Sequence, residues 1–164
     1  MAVRLGTWGS PGRASSAHAL ASEQDDCIAS IESACAQVED VVPVNEPDFT
    51  AYCSSSFIEM ESAHSWAKLG RVNLAADVYS RSLATWPDSQ RRDQALCTAR
   101  LAVVLAGLGE IDRAASYGRR AADLVRRSPS ARTLATLRAA AANVATYRKL
   151  DCVKDFQHSI EGLI

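Results

Sequence analysis

Apolar residues along this chain recur three and four positions apart, in blocks closed by glycine or proline. That is the signature of helices with one buried face. Cys27, Ile28, Ile31, Ala34, Cys35 and Val38 set the rhythm over residues 24–40. Asp25 and Asp26 stand in the first turn of that block, where the helix dipole favours carboxylates. Upstream, Ser10-Pro11 supplies a cap and a first-turn proline for a short helix over 12–22. Pro43 and Pro47 forbid helix continuation, so 41–53 reads as a linker. Beyond it the pattern predicts helices over 54–69, 72–85, 91–108, 111–127, 131–147 and 152–161. Phe57, Ala63 and Trp66 are core candidates of the first of these, and Leu74, Ala75, Val78, Tyr79 and Leu83 of the second. Gly70 and Gly109 sit where C-terminal caps belong. Turns this short force antiparallel neighbours. The expectation is one all-α domain over 1–164, about eight helices in all, with a first hairpin at 10–40 and the others in 54–164.

Composition sharpens the class. Ala and Leu dominate the apolar set, aromatics make up 6% of the chain, and the alternation of a half-buried strand is almost absent. The net charge is −1, which argues against non-specific nucleic-acid binding by the whole chain. The halves differ, however. Residues 1–65 hold two basic residues against ten acidic ones, a net −8, and residues 66–164 hold sixteen against nine, a net +7. Such an asymmetry can orient a partner or a second copy of the chain. Cys27, Cys35, Cys53, Cys97 and Cys152 are odd in number and form no Cys-x-x-Cys pair. They read as small buried hydrophobes in a reducing cytoplasm. No apolar run approaches membrane-span length, and the N-terminal segment has no continuous apolar stretch of the signal-peptide kind.

The strongest signal is an internal repeat. AHSWAKLGRVNLAADVYSRSLATWP and ARLAVVLAGLGEIDRAASYGRRAADLVRRSP align with Gly70 on Gly109, thirty-nine residues apart. Each block has a small residue early in its first helix (Ala63, Ala102) and a large one three later (Trp66, Leu105). The turn glycine follows, then Val72 or Ile111, Ala75 or Ala114, and a closing Pro87 or Pro129. Small residues permit close helix crossing and large ones fill the next groove. The pattern resembles the tetratricopeptide repeat, whose period is roughly 34 residues. Gly118 departs from it, standing where the first block has Tyr79. A right-handed stack of antiparallel helical hairpins is what the resemblance implies.

From about 46 to 160 the chain also resembles the C-terminal region of actinobacterial helix-turn-helix regulators of the XRE type. EPDFTAYCSSSFIEMESAHSWAKLGR, RRDQALCTARLAVVLAGLGEIDRAASYGRRA and SARTLATLRAAAANVATYRKLDCVKDFQHSI carry that likeness. No helix-turn-helix reader precedes residue 46, so DNA binding is not carried over. The implied role is a sensory or interaction module associated with transcriptional regulation, either standing without its reader or forming part of a longer regulator.

Catalytic and cofactor signatures are not found. His18, His64 and His158 lie far apart without metal-ligand spacing, and neither a glycine-rich phosphate loop nor a nucleophile elbow occurs. Asp25/Asp26 and Glu59/Glu61 read as solvated surface. Arg119-Arg120 and Arg126-Arg127 form a basic patch balanced in part by Asp112 and Asp123, with Tyr117 the one aromatic nearby. By repeat register, the concave face would show Phe57, Met60, His64 and Lys68, then Leu96, Arg100 and Val103, then Arg138. An apolar floor with cationic edges suits an acidic or amphipathic peptide. The alternative is that the last helices close over these residues as core. The expectation is therefore a cytoplasmic protein- or peptide-binding module with no cofactor, metal or catalytic site and no direct nucleic-acid or membrane binding. The competing reading is homo-oligomerisation, acidic half against basic half, and a less favoured one is a small enzyme with a site between helices.

Overall fold

A computed structural model describes residues 24–39 and 54–163. Among these, every regular element is helical: α1 (Gln24–Glu39), α2 (Ser55–Lys68), α3 (Val72–Ala84), α4 (Arg91–Gly107), α5 (Ile111–Arg127), α6 (Ala131–Val144) and α7 (Asp151–Glu161). Single 3₁₀ turns at Asp88–Gln90 and Ala145–Tyr147 precede α4 and follow α6. The all-α expectation holds. The helix expected over 12–22 and the 41–53 linker lie outside the described residues.

Local chemistry sets the helix ends. The Ser54 hydroxyl accepts a hydrogen bond from the Phe57 amide at 3.2 Å, and Ser130 does the same for Thr133 at 3.3 Å. Gly70 and Gly109 both take φ +78°. In the first turn the Arg71 amide donates to the Trp66 carbonyl and the Gly70 amide to Ala67. In the second, Glu110 donates to Leu105 and Gly109 to Ala106. Both are the doubly bonded glycine cap that releases the chain backwards, and they stand at equivalent repeat positions.

Helices α2 and α3 pack as one hairpin and α4 and α5 as the next. Helix α3 packs against α4, joining the two hairpins, and α4 also lies against α6 and α5 against α7. Helix α4 is central and buried almost all round from Ala95 to Ala106. Its alanines let four neighbours approach. One continuous core runs through the stack, with Tyr79, Phe156, Met60, Leu101, Leu105, Leu137, Val144 and Val153 fully enclosed.

Two sequence expectations change here. Trp66 is only partly buried: it joins the main core to a small cluster with Cys27 and Ile31 of α1, and Arg71 lies over its ring at 5.2 Å. Gly118, the departure from the repeat, has a tertiary cause. A Cβ there would stand 2.3 Å from Cε2 of Phe156, so the ring of α7 fills the notch that a side chain on α5 would occupy.

Candidate partner-binding face

On α2, Phe57, Glu61, His64 and Lys68 follow the spacing that keeps residues on one helix face. Asp93, Leu96, Arg100 and Val103 do so on α4. The two sets meet where Arg100 Nη1 donates to Glu61 Oε1 at 2.9 Å, with only 7% and 17% of the two side chains exposed. Arg132 on α6 reaches toward the same oxygen, with Nη2 at 4.0 Å. Three successive first helices thus contribute to one face.

The expected apolar floor with cationic edges is corrected at four positions. Met60 and Leu96 are buried in the core and offer nothing to a partner. Arg100 is not an edge cation: it is buried, because burial at the α2–α4 seam is tolerated once Glu61 neutralises it. Arg138 is exposed but lies six residues beyond Arg132, about 120° round the helix, so it leaves the face that Arg132 occupies. Phe57, His64 and Val103 remain half-buried and Lys68 exposed. The floor is therefore polar at its centre and apolar at Phe57 and Val103.

Electrostatics centre on His64. Burial lowers its pKa to about 4, and Arg100, Lys68 and Arg132 push in the same direction while Glu61 opposes them. The imidazole is therefore neutral at physiological pH. Burial raises the Asp93 carboxyl above its ordinary range, with Arg92, Arg132 and Arg100 holding it down in part against Glu61. Sequence reasoning missed Glu61, Asp93 and Arg132. The repeat carried a signal for the first, since Glu61 and Arg100 occupy the same repeat position. Arg132 had no such signal.

The opposite side of the stack is different. Between α5 and α7 an open groove of about 620 Å³ is lined by Arg119, Asp123, Arg126, Lys154, Asp155, His158 and Ser159. Arg119 pairs with Asp155 at 3.5 Å, Arg126 with Asp123, and Lys154 with Asp151. Arg126 Nη2 also donates to the Ser159 carbonyl at 2.7 Å. Of the basic patch legible in the sequence, Arg119 and Arg126 are engaged in intramolecular pairs.

Cys27 and Cys97 are buried free thiols, and burial pushes the Cys97 thiol up to about 12. A thiol so placed is a poor nucleophile. Among the described residues no group of three His, Cys, Asp or Glu side chains is arranged to hold a metal ion. No helix among them is long and apolar enough to cross a membrane. Comparison with protein-family models, curated proteins and solved structures finds no match.

Proposed function

We propose that this chain is a cytoplasmic protein- or peptide-binding helical-repeat module whose partner lies along the face of α2, α4 and α6. One observation carries the reading. Three first helices contribute half-buried apolar residues (Phe57, Val103), a neutral imidazole (His64) and exposed cations (Lys68, Arg132) to one continuous face. That mixture of apolar contact and spaced polar groups is the chemistry of peptide recognition. The likeness of 46–160 to the C-terminal region of XRE-type regulators supports an association with transcriptional control. No catalytic role is proposed.

The test is capture from the native cytoplasm with the intact chain, followed by titration of the captured protein. Lys68→Glu and Arg132→Glu should weaken binding, whereas Arg120→Glu, on the outer surface of α5, should not. Equal binding by all three would remove the face from consideration. Reversal of Arg100 is unsuitable for this purpose, since it would test folding.

A second reading, self-association, is favoured by the charge distribution: α1 carries Asp25, Asp26, Glu32 and Glu39 without one basic residue. A molecular mass that falls as salt rises, in the absence of any other protein, would select it.

A further inference from the structure

We infer that the partner of the α2–α4–α6 face is an acidic peptide segment, whose carboxylates are taken by Lys68 and Arg132 on either side of His64. This rests on the reading above and names the chemistry of the partner.

Glu61 is committed to Arg100 at 2.9 Å, and that pair is enclosed. Arg132 stands off at 4.0 Å from the same carboxylate oxygen, with 66% of its side chain exposed. Lys68 is exposed at the last turn of α2 and has no ion pair among the described residues. Asp93 is the other carboxylate near the cluster, and Arg92 beside it supplies a matching cation. What is left is Lys68 and Arg132, two cations in excess around a half-buried ring. Burial is the main cause of the depressed titration of His64, and Arg100, Lys68 and Arg132 add to it against Glu61, so these three cations all lie close enough to act on the ring.

The spacing favours a peptide over a small ion. Arg132 lies beside Glu61, whereas Lys68 stands seven residues, about two helical turns, beyond Glu61 on α2. Such cations do not converge on one point. Phe57 and Val103 lie on the same helix faces and offer apolar contact to side chains between the carboxylates. Nucleic acid fits less well. Phe57 alone is no stacking platform for bases.

The experiment uses the intact chain and a fluorescein-labelled peptide of Glu, Leu and Gly, with a Gln-for-Glu counterpart. Affinity is read by fluorescence anisotropy, and the site by the imidazole NMR signals of His64. The acidic peptide should bind, shift the His64 signals and raise the pH at which they titrate. Lys68→Glu and Arg132→Glu should each weaken it about tenfold at low salt and flatten its salt dependence, with Arg120→Glu as the unaffected control. Both reversed residues are exposed, so the variants should keep the wild-type melting temperature. If the Gln peptide binds equally and shifts His64 equally, the acidic inference is overturned while the face survives as a peptide site. If neither peptide moves His64, both readings fall. If acetate alone reproduces the full shift, the site is one for a small anion and the inference fails. Tighter binding of an oligothymidylate at the same residues would also overturn it.

Discussion

Glu61 and Arg100 occupy one position of the repeat, thirty-nine residues apart, and close on each other at 2.9 Å across the seam between α2 and α4. Stacking places equivalent positions of successive hairpins side by side, so opposite charges there tie one repeat to the next. Removing Glu61 strands Arg100 in a low-dielectric seam, and removing Arg100 leaves Glu61 with only Arg132 at 4.0 Å. Arg100→Met should cost about 3–5 kcal/mol, the range for breaking an enclosed pair. Glu61→Leu combined with Arg100→Met should recover most of that loss, because the stranded charge is gone. Urea unfolding of the two single variants and the double variant measures both effects.

Gly118 should not tolerate the residue that helices favour. Alanine at an exposed helix position usually gains about 1 kcal/mol over glycine. At 118 the added Cβ would meet the fully buried Phe156 ring at 2.3 Å. Gly118→Ala should therefore destabilise by about 1–3 kcal/mol, the usual cost of overpacking. Adding Phe156→Leu should make the alanine less harmful than it is alone. Thermal unfolding of the four combinations gives the coupling, and strict additivity would mean that the ring and the notch are independent.

At Gly70 and Gly109 the constraint is backbone alone. An added Cβ meets nothing within 4 Å at either position, but φ is +78°. Gly109→Ala should cost about 1–2 kcal/mol, and Gly109→Asn less, since asparagine visits this region more readily. Equal stability of the two variants would contradict the backbone explanation.

Acid should weaken the fold through His64. Its folded-state pKa is about 4 and its ordinary value 6.5. Between these values the unfolded chain binds a proton that the folded chain refuses, so stability rises with pH. The contribution of His64 is complete above pH 6.5 and is lost as pH falls toward 4. Arg100 on α4, Lys68 on α2 and Arg132 on α6 enlarge the effect, and Glu61 reduces it. Asp93, raised by burial, acts in the opposite sense just above pH 3.8. Urea midpoints at pH 7 and pH 5 should differ in wild type and converge in His64→Gln.

Helix α1 is held to α2 through a small contact, Cys27 and Ile31 against Trp66 and Leu69. Trp66→Ala should loosen α1 before the rest of the stack. Amide exchange should quicken selectively in α1, with α4 and α5 keeping their protection. Uniform quickening across all helices would instead place Trp66 at the centre of the main core.

The sequence by itself determined the helices and their turns. Those features follow from short-range physics: apolar spacing over one turn, a serine that caps its own helix, a glycine that alone enters positive φ cheaply. The predicted 54–69, 72–85, 91–108 and 111–127 accordingly differ from the observed helices by a residue or so at their ends. Placing Phe57, His64 and Lys68 on one face followed from the same periodicity. Only the tertiary structure decided what that face contains. Periodicity fixes the angles between residues of one helix, but not the angle at which the helix sits against its neighbours. That angle buries Met60 and Leu96, turns Arg132 rather than Arg138 toward Glu61, and brings Phe156 into the notch at Gly118. It also makes Arg100 a buried partner instead of an exposed edge, because a guanidinium enters a low-dielectric seam only where another helix supplies the carboxylate.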